Sequence, residues 1–97
     1  MKLVWLRKAR LDLDDAIAWL SERNQSAANR VLQEISVQVS QLKIYPQLGR
    51  VGQVTETREL VIRHTRYIVP YRINFDLQQV EVLALMHESQ QWPESFN

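Results

Sequence analysis

The chain has 97 residues, enough for one small domain, and 45% of them are hydrophobic against 24% charged, an ordinary globular composition. A formal net charge of +1 argues against a general nucleic-acid binder, and apolar runs of only a few residues exclude a membrane-spanning helix. With no cysteine there is no disulfide, no thiolate chemistry and no Cys-based zinc site, which fits a cytoplasmic protein.

The N-terminal "MKLVWLRKAR" lacks an apolar segment long enough for a secretory signal. "KLVWL" (2–6) is read as a strand. From there the period becomes helical: Leu13, Ala16, Ile17 and Leu20 form a stripe, with Asp12, Asp14, Asp15 and Glu22 on the other side. "SERNQS" (21–26) interrupts the pattern, and Asn24 or Ser26 is suited to cap the next helix. That helix carries Ala28, Val31, Leu32, Ile35, Val39 and Leu42 on one stripe, and "YPQLGRVG" (45–52), with Pro46 and both glycines of the chain, ends it. Residues 7–44 are therefore expected to form a helical hairpin.

From Arg58 the period falls to two, and "RELVIRH", "RYIVPYRINF" and "QQVEVLALMH" read as three antiparallel strands joined by tight turns. A turn centred on Thr65-Arg66 sets Glu59 opposite Arg72, Val61 opposite Pro70 and Arg63 opposite Ile68 on one face. Leu60, Ile62, Tyr67, Val69, Tyr71, Ile73 and Phe75 then share the other face and should pack on the helices. Thr-Arg is poor chemistry for a two-residue turn, and Pro70 predicts a bulge or a missing hydrogen bond. "VEVLALM", apolar on both faces, is read as a central strand ended by His87. The expected architecture is α+β: an N-terminal strand, an α-helical hairpin, then a three-stranded antiparallel meander packed against it, in a single domain spanning 1–97.

Residues 58–73 hold four arginines and one acidic residue, Glu59, whereas residues 74–97 hold Asp76, Glu81, Glu88 and Glu94 and no Lys or Arg. His64 and His87 sit in no paired ligand motif, so no metal is expected. "GRVG" lacks the length and the Lys-Ser/Thr of a phosphate loop, and no other cofactor is implied. Glu59, Arg63, Arg72 and His87, if they share one face, supply the ingredients of a metal-independent ribonuclease. Such an enzyme must deprotonate a 2′-hydroxyl, protonate a leaving 5′-oxygen and stabilise an anionic phosphorane. The same residues equally make an ordinary polar face with a Glu59–Arg72 cross-strand pair.

The ordered set "YPQLGR", "RELV", "YIVPYRI" and "VLALMHESQQWP" resembles the RelE/ParE superfamily of type II toxins over essentially the whole chain. The resemblance implies a growth-inhibiting toxin that a cognate antitoxin wraps and neutralises, in a heterotetramer or larger complex. It offers two mechanisms: RelE-like members cleave mRNA on the ribosome, and ParE-like members poison DNA gyrase. With the third-strand aromatic placed on Tyr67, the RelE pattern's two lysines fall on Glu59 and Val61, and its third-strand arginine falls on Ile68. Its last arginine falls near Gln90 and its terminal tyrosine near Phe96; only Arg63 keeps a basic residue. Some ribonuclease members use Glu and His instead, which would place acid/base roles on Glu59 and His87, although Glu88 rather than an aromatic follows His87. "HESQQWP" is more similar to ParE-type members, but lacks the arginine they often carry between His87 and Trp92.

The favoured expectation is a ParE-like gyrase poison with Arg58, Arg63, Arg66, Tyr67 and Trp92 as target-docking candidates. The alternatives are a ribosome-dependent ribonuclease acting through Glu59, Arg63, Arg72 and His87, and a weakly toxic module that only binds antitoxin. An acidic-hydrophobic antitoxin segment is expected along the hairpin 7–44 and the sheet edge.

Overall fold

A computed structural model of the chain describes residues 1–96. Strand β1 (Lys2–Trp5) leads into helix α1 (Arg7–Arg23), and Asn24 alone separates it from α2 (Gln25–Ser40). Asn24 is extended, and its side-chain oxygen accepts from the Ala27 N–H at 3.0 Å, so one residue both breaks the first helix and caps the second. A 3₁₀ turn (Gln41–Lys43) follows, then short strand β2 (Arg50–Val51), β3 (Arg58–Val61), β4 (Tyr67–Asn74), β5 (Gln79–Val82) and short strand β6 (Met86–His87). The sheet order is β1-β5-β4-β3-β2, with β6 pairing β4.

The α+β architecture and the helical hairpin agree with the sequence reading. The sheet itself is richer than a three-stranded meander. β1 pairs β5 in parallel, which makes the sheet mixed, and β2 extends the other edge. β5, the paired part of "VEVLALM", is an interior strand as expected, flanked by β1 and β4, and β4 lies at the middle of the order.

The β3–β4 register also differs. Glu59 lies opposite Pro70 and Val61 opposite Ile68, two residues from the expected pairing. The physical reason is the turn. Arg63–Arg66 form a four-residue loop closed by Ile62 N–H to Tyr67 O, with His64 at φ 68°, where a two-residue turn would have needed Thr-Arg. A slip of two keeps every side chain on its face. Leu60, Ile62, Val69 and Tyr71 are therefore buried against Ala9, Val31, Ile35 and Val39, with Tyr67 and Ile73 partly buried beside them. The α1 stripe of Leu13, Ala16, Ile17 and Leu20 packs there half-buried. Phe75 departs from expectation: it lies beyond β4 and is 62% exposed.

The strand expected over "VEVLALM" is broken. β4 pairs Tyr71 with Val82 and Ile68 with Met86, so residues 83–85 lie opposite only 69–70, a bulge. Pro70 accounts for it. Its carbonyl accepts from Leu83 N–H at 2.9 Å, and in a strand a residue's N–H and C=O point to the same side. The donor that proline lacks would face this segment, and the ladder gives way there. Asp12 on α1 recovers one freed group, accepting from Leu85 N–H at 3.1 Å. Among the described residues no helix is long and apolar enough to cross a membrane.

Candidate functional site

Two ion pairs cross the sheet face turned away from the helices. Arg50 on β2 stands opposite Glu59 on β3, with Nε 3.0 Å from Oε1. The second Glu59 oxygen accepts from the Gln53 N–H at 2.8 Å, and the residue is only 2% exposed. Arg72 on β4 stands opposite Glu81 on β5 at 2.6 Å. Asn74 and Gln79 side chains donate to the other Glu81 oxygen. The Arg72 hydrogen bond, helped by Gln79 and Asn74, holds the Glu81 carboxyl below its ordinary value.

The expected Glu59–Arg72 pair therefore does not form. The shifted register puts Pro70 opposite Glu59, and each member of the pair finds a partner on its other flank.

The four ribonuclease candidates are not brought together. Glu59 and Arg72 lie on the outer face. Arg63 has left the strand, and its side chain is exposed; its backbone N–H and C=O are both bonded by the buried Gln38 side chain, at 2.8 and 3.0 Å. His87 lies opposite Tyr67 on the helix side of the sheet, the rings edge-to-face at 5.4 Å between centroids. The bulge at residues 83–85 puts His87 there, because one extra residue reverses the alternation after Val82.

The docking candidates are also dispersed. The Arg58 guanidinium donates to the Gly49 carbonyl at 2.7 Å, on the helix side with Tyr71. Arg66 is exposed in the β3–β4 loop and pairs with Glu88 at 2.7 Å. Tyr67 is half-buried, and burial pushes its phenol pKa up. Trp92 is half-buried and edge-on to Phe96, with centroids 6.2 Å apart.

"YPQLGR" turns out to be a built corner. The Tyr71 hydroxyl donates to the Pro46 carbonyl at 2.7 Å and accepts from the Gly49 N–H at 2.9 Å. A Cβ on Gly49 would sit 2.7 Å from the Tyr71 ring and 2.8 Å from the Glu59 carbonyl oxygen, so the corner needs glycine.

Sequence reasoning missed two residues that matter. Arg50 was read only as part of a helix-ending loop; its place directly after Gly49 gave no sign of a strand. Trp19 went unremarked, although an aromatic off the apolar stripe of a helix is itself a signal. It is 55% exposed, with the Arg23 guanidinium 3.7 Å above its ring.

A model of the ParE toxin of the parDE type II toxin–antitoxin system matches residues 3–92. A Sinorhizobium fredii (strain NBRC 101917 / NGR234) protein named "Putative toxin Y4kP" is 41% identical over 93 residues, covering 96% of this chain and 94% of the relative. The fold is also similar to a chain from a solved structure described as the chromosomal ParDE TA system from P. aeruginosa. That match has a TM-score of 0.80 and 26% identity, and it covers 90% of this chain and 95% of the other. The chain belongs to the ParE toxin family of type II toxin–antitoxin systems.

Proposed function

We propose that this toxin arrests growth by binding DNA gyrase and cleaves no RNA itself. The observation that carries this reading is the neutralised outer face. Each arginine paired there, Arg50 and Arg72, is matched by a carboxylate directly across the ladder. Stabilising a phosphorane requires cations free to meet developing negative charge, and Arg50 and Arg72 are already spent on Glu59 and Glu81. His87, the imidazole of the ribonuclease set, lies on the opposite side of the sheet. Exposed Arg63 remains as a docking cation, beside Arg66, which is exposed but paired with Glu88, and the rings of Tyr67 and Trp92, while Arg58 is engaged with the Gly49 carbonyl.

A cognate antitoxin, in a heterotetramer or larger complex, is the second partner of this reading. The exposed Leu11 and the half-buried α1 stripe leave apolar hairpin surface for an amphipathic segment to cover, and β2 is an open sheet edge. Both partners place the toxin in the cytoplasm.

The test is a gyrase supercoiling and cleavage assay run beside a translating ribosome reaction read by primer extension. Gyrase inhibition with intact mRNA is expected. Codon-spaced cuts with gyrase unaffected would overturn the reading.

A further inference from the structure

A cleft of about 640 Å³ opens between the Asn24 end of the helical hairpin and the β3–β4 loop. Its volume lies within the range of ligand pockets, roughly 300–1,000 Å³. The gyrase reading uses two residues of its rim, Arg66 and Tyr67, but not Trp19, Arg30 or the cavity itself. Leu20 and Val31 give it apolar surface, Trp19, Tyr67 and His87 supply rings, and Arg30, His64 and Arg66 supply basic groups. No carboxylate lines it. Among the described residues Arg30 and His64 make no ion pair, so their capacity for an anion is unspent; Arg66 alone is engaged, by Glu88.

The polarity is directional. A second cleft shares Trp19, Tyr67 and His87 but carries Asp12 and Asp15 instead of the arginines. The three rings thus form a ridge with an acidic side and a basic side. A ligand with a flat ring and a negative charge is favoured on the basic side only.

The His87 ring is anchored by Ser89, whose hydroxyl oxygen lies 2.7 Å and whose backbone N–H lies 3.2 Å from Nδ1. Trp19 is held from one side: Arg23 covers one ring face at 3.7 Å and donates to the Trp19 carbonyl at 2.8 Å. A base stacking on the other face would complete a guanidinium–indole–base sandwich.

We propose that this cleft binds a nucleotide, with the base stacked on Trp19 and the phosphate held by Arg30 and its basic neighbours His64 and Arg66. The ligand is either a free nucleoside monophosphate or a nucleotide of a single strand, since both present the same ring and phosphate. The inference shares Arg66 and Tyr67 with the gyrase reading but is tested apart from it, because cleft binding and gyrase inhibition are measured separately and the variants used, at Trp19 and Arg30, touch neither shared residue.

The test is a calorimetric titration of the purified full-length chain with AMP, adenosine, inorganic phosphate and a short single-stranded DNA of adenines. AMP is expected to saturate, with adenosine and phosphate each about tenfold weaker or more. Trp19→Ala and Arg30→Gln should each weaken AMP about tenfold, with melting temperatures close to wild type because both side chains are exposed. Arg10→Gln, at the cleft beside Trp5 and Leu11, should change nothing. An oligonucleotide that binds tighter than AMP, with a steeper salt dependence, identifies a strand as the source; equal affinities identify the free nucleotide. The proposal is overturned if AMP binds no tighter than phosphate, if Trp19→Ala and Arg30→Gln bind as wild type, or if nothing saturates at millimolar concentration. It is equally overturned if an acidic, aromatic-containing peptide saturates the cleft where AMP does not.

Discussion

Arg72 and Glu81 face each other across β4 and β5, with the guanidinium Nε 2.6 Å from the carboxylate. Gln79 at 2.6 Å and Asn74 at 3.3 Å donate to the second oxygen. The pair does two things at once. It ties the two strands on the outer face, and it removes a cation that RNA chemistry would need.

The first prediction concerns acid. The native Glu81 carboxyl titrates below its ordinary value of 4.5, so on acidification the unfolded chain takes up the proton first. Glu81 therefore contributes its full stability above that ordinary value and loses it as pH falls through the lowered native one. Glu81→Gln should be less stable than wild type at neutral pH, and the gap should close in acid. Urea midpoints of both proteins across that range provide the check. A gap that stays constant with pH would contradict the assignment.

Glu59 should matter for stability rather than for chemistry. Its carboxylate holds Arg50 and the Gln53 N–H, and so pins the 50–53 segment to β3. Glu59→Ala leaves that N–H without its partner and the arginine unpaired, at about 1–3 kcal/mol. Denaturant unfolding measures the loss. Hydrogen exchange should show faster opening around Gln53, and unchanged protection there would mean the segment is held by something else.

Tyr71 has no exposed surface, and its hydroxyl is the knot of the "YPQLGR" corner. Tyr71→Phe keeps the ring and deletes only the oxygen, leaving the Gly49 N–H and the Pro46 carbonyl without their hydrogen bonds. A loss of about 1–3 kcal/mol is expected. Gly49→Ala should be worse. Its methyl would meet the Glu59 backbone carbonyl at 2.8 Å as well as the ring, and backbone cannot swing aside. If both variants melt like wild type, the corner is not under the constraint described.

How far the sequence carried the fold depended on the range of each interaction. The helical hairpin was legible because its stripes and the Asn24 cap are local. The buried face of β3 and β4 was legible because alternation survives a slip of two. The register was not, since a four-residue loop at Arg63–Arg66 leaves no signature that separates it from a tighter turn. The parallel pairing of Lys2–Trp5 with Gln79–Val82 joins segments more than seventy residues apart, and neither carries a mark of the other. The candidate site was not legible because the register separates Glu59 from Arg72, the loop takes Arg63, and His87 changes side. Pro70 correctly forecast a bulge, but the consequence for His87, reversed to the other side of the sheet, depends on where the extra residue falls in the partner strand.

The position of His87 gives the last prediction. A ribonuclease using it as general acid or base would lose about a hundredfold or more in cleavage on His87→Gln. A toxin that acts by binding gyrase has no such dependence, and His87 meets Tyr67 edge-to-face on the helix side, away from the Arg72–Glu81 face. Gyrase inhibition by His87→Gln should stay within a few-fold of wild type, and primer extension on translating ribosomes should show intact message for both proteins. Selective loss of message cleavage in the variant, with gyrase unaffected by either protein, would make His87 a catalytic residue and return the chain to the ribonuclease mechanism. A parallel loss of gyrase inhibition and of melting temperature would show only that the Tyr67–His87 contact holds β6 in place. The folded control is therefore measured on the same preparation.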